Sequence, residues 1–304
     1  MTTQAVGSDR PEGVLGSPLP PRDPRLAARV QPLLRIVGTL FSYAVLLFLA
    51  LLVLYPLLWM VTSSLKTNNE IFSSPWSLPV HWRFENFSRA LNGGVARFFV
   101  NSAFVTAVSI VTTTVISAWA AFALTRTRMP GARWATWYIL GGLMVAPTVA
   151  LVPLFGLIQR LGLFDSLWAL VVLYTAYRIP FTTFLIRAYL MDLPSEVDEA
   201  ARIDGATRWQ TFWRIIIPMS RPILVSAALL QALFAWNEFA FALVFVSSRE
   251  NKTLPVGLMD MQSRLLTDWP IQFASLTLAA LPIVILFLIG QRQFFRGLAD
   301  GMGK

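Results

Sequence analysis

The chain has 304 residues, of which 56% are hydrophobic and only 13% charged, and its mean hydropathy is +0.60. Soluble domains carry about 25% charged residues, so a single soluble globule is excluded and a polytopic membrane protein is indicated. The formal charge of +9 does not point to nucleic acid, because the basic residues are dispersed between apolar runs, and with no Cys and a single His81 no metal site or thiolate chemistry is expected.

Residues 1–35 are rich in Pro, Gly and Arg without periodicity, which predicts a disordered cytoplasmic tail. The first apolar run, 36–65, is too long for a signal peptide and is expected to persist as a transmembrane helix. Residues 66–97 read as an extracytoplasmic loop. Residues 98–291 hold five further runs, each long enough to cross a core of roughly 30 Å with about 20 helical residues. They are Phe98–Thr125, Trp134–Gln159, Ser166–Ile186, Pro222–Ser248 and Trp269–Gln291. Residues 292–304 complete the chain as a cytoplasmic C-terminal tail. The expected fold is an all-α polytopic membrane protein with six transmembrane helices, since a span in lipid must satisfy its own backbone groups. Lys and Arg favour the segments that lie inside when both termini are cytoplasmic, by roughly two to one.

The segment 192–221, between the fourth and fifth runs, breaks the apolar pattern. Five carboxylates and two arginines crowd into Asp192–Arg208. Ser195 and Asp198 have the spacing of a capping box, and Glu196, Asp198 and Glu199 fill a first turn where the helix dipole favours negative charge. Gly205 supplies a stop, so a short helix of about nine residues is predicted. Val197, Ala200, Ala201 and Asp204 recur at helical spacing and leave one face nearly bare of large side chains. Trp209, Phe212, Trp213 and Ile216 share a second face before Pro218, suited to packing at a membrane boundary or against neighbouring spans. These residues alone leave two readings open, a partner-facing knob or a solvated connecting loop.

Polar residues inside the runs are the other anomaly. Arg178 is costly near a bilayer centre and must face protein or a water-filled cavity. With Tyr174 and Tyr177 beside it, it either lines a pathway for a polyol, by stacking and hydrogen bonding, or forms an interhelical ion pair, or snorkels to an interface. Gln231, Asn237 and Glu238 lie along the fifth run. Gln231 and Glu238 are seven residues apart on one helical face, and an Arg178–Glu238 pair is expected. Structural packing is the competing role for this group. Pro147, Pro153, Pro180, Pro270 and Pro282 mark expected kinks or helix ends.

The run "EAARIDGATRWQTFWRIIIP" resembles the EAA signature of ABC-importer permeases. Glu199, Ala200 and Ala201 match its opening, Gly205 its glycine, and Ile215, Ile217 and Pro218 its close, with Ile217 where leucine is usual. Asp204 matches the Asp-Gly common in the carbohydrate branch. "SSLK" (Ser63–Lys66), "FENF" (Phe84–Phe87), "FFVNS" (Phe98–Ser102), "AWNEF" (Ala235–Phe239), "TLPVGL" (Thr253–Leu258) and the terminal "RQFFRGLADGMGK" are similar to the smaller maltose-transporter permease. The resemblance covers nearly all of the chain from about residue 36.

It implies a type I ABC importer permease fold in a bacterial or archaeal plasma (inner) membrane, with a carbohydrate as cargo. Glu199, Ala200, Ala201, Asp204, Gly205 and Pro218 would form the coupling segment that docks into an ATPase. Tyr174, Tyr177, Arg178, Gln231, Asn237 and Glu238 are the candidate pathway residues. The implied partners are a second homologous permease, two ATP-binding subunits and an extracytoplasmic solute-binding protein. A second contact of Arg296–Lys304 with the ATPase pair is also implied. No Gly-x4-Gly-Lys-Ser/Thr loop is present, so this chain should bind no cofactor and not be an enzyme, with ATP and Mg held by the partner subunits. The alternatives are an ABC permease for a non-sugar solute, an ion-coupled secondary transporter, which would call for paired broken helices in internal repeats, and a membrane scaffold.

Overall fold

The computed structural model describes residues 24–127, 129–262 and 268–302, and among these the secondary structure is entirely helical. Expectations resting on residues 1–23, 263–267 and 303–304 lie outside them. The chain divides into a unit ending at Leu57 and a second unit from Leu58 onward.

The first unit is the greater part of one helix, α1 (Pro24–Ser63). Its side chains from Val37 to Leu57 are exposed and apolar on every face. A helix apolar all round belongs in lipid or against other spans. Helix begins at Pro24, so the part of the expected tail from residue 24 to 35 is α1 instead.

The second unit opens with α2 (Asn68–Ser73) and α3 (Glu85–Ala90). A π-turn (Leu91–Val95) joins α3 to α4 (Ala96–Arg126). Next come α5 (Ala132–Gly141), a 3-10 turn (Gly142–Met144), α6 (Pro147–Arg160) and α7 (Leu167–Asp192). Two short helices follow, α8 (Glu196–Ile203) and α9 (Arg208–Thr211), then a π-turn (Phe212–Ile216) and α10 (Ile217–Met219). The remainder is α11 (Arg221–Asn237), α12 (Ala240–Phe245), α13 (Leu254–Gln262) and α14 (Trp269–Met302).

Four helical stretches among the described residues are long and apolar enough to cross a membrane: Val37–Ser63, Glu85–Arg126, Leu167–Asp192 and Trp269–Gln291. Two bent pairs raise the count to as many as six. The third expected run bends by 102° between Met144 and Pro147. Proline explains the position, because Pro147 starts α6 without an N–H and Ala146 before it is extended, as a pre-proline residue prefers. The 3-10 turn packs so closely on α7 that a Cβ at Gly142 would lie 2.8 Å from Cγ of Pro180. Helix α7 itself runs unbroken through Pro180.

The fifth expected run, Pro222–Ser248, is not one helix. Helix α11 ends at Asn237 and α12 begins at Ala240. The second bent pair is instead Arg208–Met219 with Arg221–Asn237, at 78°. Helix also starts earlier than residue 98, at Glu85, and α14 continues past Gln291 to Met302, so the described part of the expected C-terminal tail is helical.

The core is organised around α4 and α7. Ser102, Thr106, Ser109, Thr113 and Ser117 recur along one buried stripe of α4. Small residues let backbones approach where water supplies no hydrophobic drive. Thr112 Oγ1 and Thr175 Oγ1 bridge the two helices at 2.7 Å. Larger side chains fill the space on either side. Leu170, Tyr174, Phe241 and Phe245 form one cluster, Phe122, Ile186, Leu190, Phe212 and Ile216 a second, and Phe98, Trp236, Leu254 and Leu258 a third.

The segment after α1 is a hydrogen-bonded knot. Lys66 is fully buried, and its Nζ donates to the carbonyls of Ser74 and Pro75, both at 3.1 Å. Asn86 Nδ2 donates to the carbonyls of Ser64 and Lys66. The "SSLK" string therefore serves folding, through a lysine whose charge is spent on two carbonyls.

Candidate functional site

Helix α8 is an eight-residue projection between α7 and α9. Its three acidic residues fill the first turn as expected, but Ser195 does not cap it. The Ser195 backbone is helical (φ −72°, ψ −22°) and its side chain makes no cap bond; an N-cap needs an extended backbone to aim its oxygen at the first turn. The capping box lies in α9, where Thr207 and Gln210 cap each other reciprocally. The stop at Gly205 is as read. Gly205 takes φ +74°, and the Ala206 N–H reaches back to the Ala201 carbonyl at 2.9 Å, the left-handed closure that glycine permits.

The faces of α8 differ from the small-residue stripe expected. Ala201 is buried and Val197 and Asp198 half-buried, whereas Glu199, Ala200 and Asp204 are exposed. Ala200 and Ala201 are adjacent in sequence, about 100° apart around the helix, so they fall on opposite sides of its edge. The outward side carries Glu196, Glu199, Ala200 and Ile203, and Ile203 is 86% exposed.

The aromatic arm behaves as its spacing suggests. Phe212 and Ile216 are buried. Trp119 of α4 lies 4.8 Å from the Phe212 ring and 4.9 Å from that of Trp209. Trp213 packs edge-on against both Trp209 and Phe212. Helix α9 and its π-turn are thus fastened to the end of α4. Pro218 sits in α10, one turn before the bend into α11.

Arg126, counted in the sequence only as a topological charge, occupies the junction. From the last residue of α4 its guanidinium donates to the Asp198 carboxylate of α8 at 2.7 Å and to the carbonyls of Leu190 and Leu193 at the end of α7. Its position at the end of an apolar run was visible; its partners are brought together only by the tertiary fold.

The candidate pathway residues form two groups about one turn apart on α7. Tyr174 is buried, and its hydroxyl donates to Glu238 Oε2 at 2.7 Å. Glu238 also accepts from the backbone N–H groups of Phe241 and Ala242. It therefore caps α12 from the break after α11, and lies beyond the helix on which it was expected to share a face with Gln231. The expected Arg178–Glu238 pair does not form. Arg178 Nε donates instead to Gln231 Oε1 at 3.2 Å, and its guanidinium lies 4.5 Å above the ring of Phe181 and 5.1 Å from that of Phe234. Tyr177 stacks on Phe234 at 5.6 Å. The Nε2 group of Gln231 is buried without a partner. Asn237 is exposed and donates to the Leu233 carbonyl in its own helix. The arrangement places a half-buried cation between aromatic rings, with a fully buried amide beside it.

Several long apolar helices, two further pairs that are bent, and a short acidic helix between them are the make-up of a multi-pass membrane protein. Residues 132–300 match the family of the binding-protein-dependent transport system inner membrane component, and the chain belongs to that family. It is 49% identical over 264 residues, 86% of this chain and 88% of the other, to the probable ABC transporter permease protein YurM of Bacillus subtilis. It is 33% identical to the trehalose/maltose transport system permease protein MalG of Thermococcus litoralis, over 85% of this chain and 94% of that one. Its structure superposes with a TM-score of 0.78, at 25% identity, on a bacterial ABC transporter involved in the import of the acidic polysaccharide alginate, covering 86% of this chain and 97% of that one. Such chains are transport subunits of ABC importers, not enzymes.

Proposed function

We propose that this chain forms half of the translocation pathway of an ATP-driven carbohydrate importer in a bacterial or archaeal plasma membrane. It crosses six times, each bent pair counting as one span, with both termini in the cytoplasm. The second half is a homologous permease. Two cytoplasmic ATPase subunits hold ATP and Mg, and an extracytoplasmic binding protein delivers the cargo. A saccharide is the cargo because two of the proteins named above are described by trehalose/maltose transport and alginate import, and because the rings of Phe181 and Phe234 and the amide of Gln231 surround Arg178.

The observation that carries the reading is α8, a projection closed at one end by Gly205 and presenting Glu199, Ala200 and Ile203 outward. Its outward acidic residues, Glu196 and Glu199, and its exposed isoleucine suit insertion into a cleft of the ATPase. Gly205→Pro is incompatible with φ +74°, since proline is held near −65°. In proteoliposomes bearing the complete complex, Gly205→Pro and Glu199→Lys should each abolish saccharide uptake and its stimulation of ATP hydrolysis. Wild-type rates of both in the two variants would refute the coupling role of α8.

A further inference from the structure

Helix α8 has little holding it to the rest of the chain. It carries one well-buried side chain, Ala201, and an open cleft of ≈ 500 Å³ lined by Phe122, Arg126, Asp198 and Thr207 runs beside it. A helix this short is marginal on its own, so movement applied at its tip reaches the spans only through whatever ties its base. Among the described residues α8 makes one ion pair, Asp198 with Arg126, and the two side chains are only 16% and 8% exposed.

Arg126 is more than one half of a pair. Its Nη2 donates to the carbonyls of Leu190 and Leu193, and its Nη1 donates to the Asp198 carboxylate at 2.7 Å, with the Pro194 carbonyl at the outer limit of 3.5 Å. The last carbonyls of a helix have no partners within it. Arg126 supplies them to α7 from α4, with a planar fork that lysine cannot reproduce. One guanidinium thus joins the base of α8 to the ends of α4 and α7, which also pack on each other through Phe122, Ile186 and Leu190.

We propose that Arg126 is the positioning residue that transmits movement of α8 to α4 and α7, with Asp198 as its lever. This rests on α8 being the ATPase-docking element. Displacing α8 pulls Asp198, and the same guanidinium shifts the ends of both long helices, which are joined further along by the Thr112–Thr175 hydrogen bond. With the link cut, α8 would still dock and ATP would still be hydrolysed, but less of each cycle would reach the spans.

Asp198→Asn is the sharpest probe, because it keeps size and hydrogen bonding, leaves the α7 carbonyls capped by Arg126 and removes only the charge. Saccharide transported per ATP hydrolysed by the reconstituted complex should fall on the order of tenfold, the scale of a charge-assisted hydrogen bond. Asp198→Glu should restore most of the ratio. Arg126→Lys, which keeps the charge but not the fork, should lower it as well, while the ATPase subunits still co-purify with each variant. A wild-type ratio in Asp198→Asn, or an equal loss in Asp198→Glu, would overturn the proposal. Glu199→Lys measured alongside separates the two levels. If it abolishes coupling while Asp198→Asn leaves the ratio unchanged, only the Arg126 link is wrong; if Glu199→Lys is also silent, the docking role of α8 fails with it.

Discussion

Asp165 shows how a single side chain holds an irregular junction outside the spans. It adopts φ 57°, a left-handed conformation that Asp tolerates better than most residues. Its Oδ1 accepts from the backbone N–H groups of Ser247 and Ser248 and from the Ser248 hydroxyl, all at 3.0 Å. Burial alone would raise its pKa, but the bonds from Ser248 and Ser247 outweigh it and hold the carboxyl below its usual value. The folded chain therefore binds this proton more weakly than the unfolded chain does. The resulting stabilisation is complete above the ordinary aspartate pKa of about 3.9 and is lost as pH falls through the lower folded value. Asp165→Asn keeps the left-handed backbone accessible but removes the titration. Thermal midpoints of the detergent-solubilised protein should fall less steeply with acidification in Asp165→Asn than in wild type, and parallel slopes would show that the carboxylate contributes nothing. Glu238 uses similar chemistry at the α11–α12 break, where a carboxylate takes the place of a continuing helix.

At the scale of elements, what could be read in the sequence follows the physics of each signal. Apolar runs are local, and so α4 and α7 were legible to within two turns at both ends, whereas α1 begins and α14 ends about three turns beyond the apolar run. The break at Ala146–Pro147 had a visible cause in proline. The break after Asn237 had none, because no Gly or Pro marks it and Glu238 acts through N–H groups that lie beyond it. Ser195 had the composition of a cap without the backbone for one, and composition cannot report φ and ψ. Arg126 and Lys66 looked like topological charges because their partners, Asp198 and the carbonyls of Leu190, Ser74 and Pro75, are assembled only by folding. The bent α5–α6 pair gives a further test. Gly142 is where its 3-10 turn meets Pro180 of α7, and a side chain there has to displace one element from the other. Gly142→Val should destabilise the solubilised protein by about 1–3 kcal/mol, the usual cost of overpacking, as read from its thermal midpoint. An unchanged midpoint would mean that α5 and α7 are free to separate at this point.

At the scale of the whole molecule, much of the surface of the described residues is apolar and exposed. Residues 37–57 of α1 are exposed, and Trp134, Tyr138, Met144, Val149 and Val152 along the bent pair are exposed as well. Lipid, a second permease and the other subunits of an importer would cover such surfaces, whereas Ile203 lies on a polar loop helix that lipid does not explain. The chain has no cysteine, so Ile203→Cys introduces a single thiol at an exposed position at the end of α8. Its labelling by a water-soluble maleimide, followed on this chain by mass spectrometry, tests the docking of α8 most directly. The thiol should react rapidly in the isolated permease and be protected at least about tenfold in the complex with its ATPase subunits, a difference of about 1.4 kcal/mol or more. Equal reactivity in the two states would contradict α8 as the docking element and, with it, the coupling role assigned to this chain.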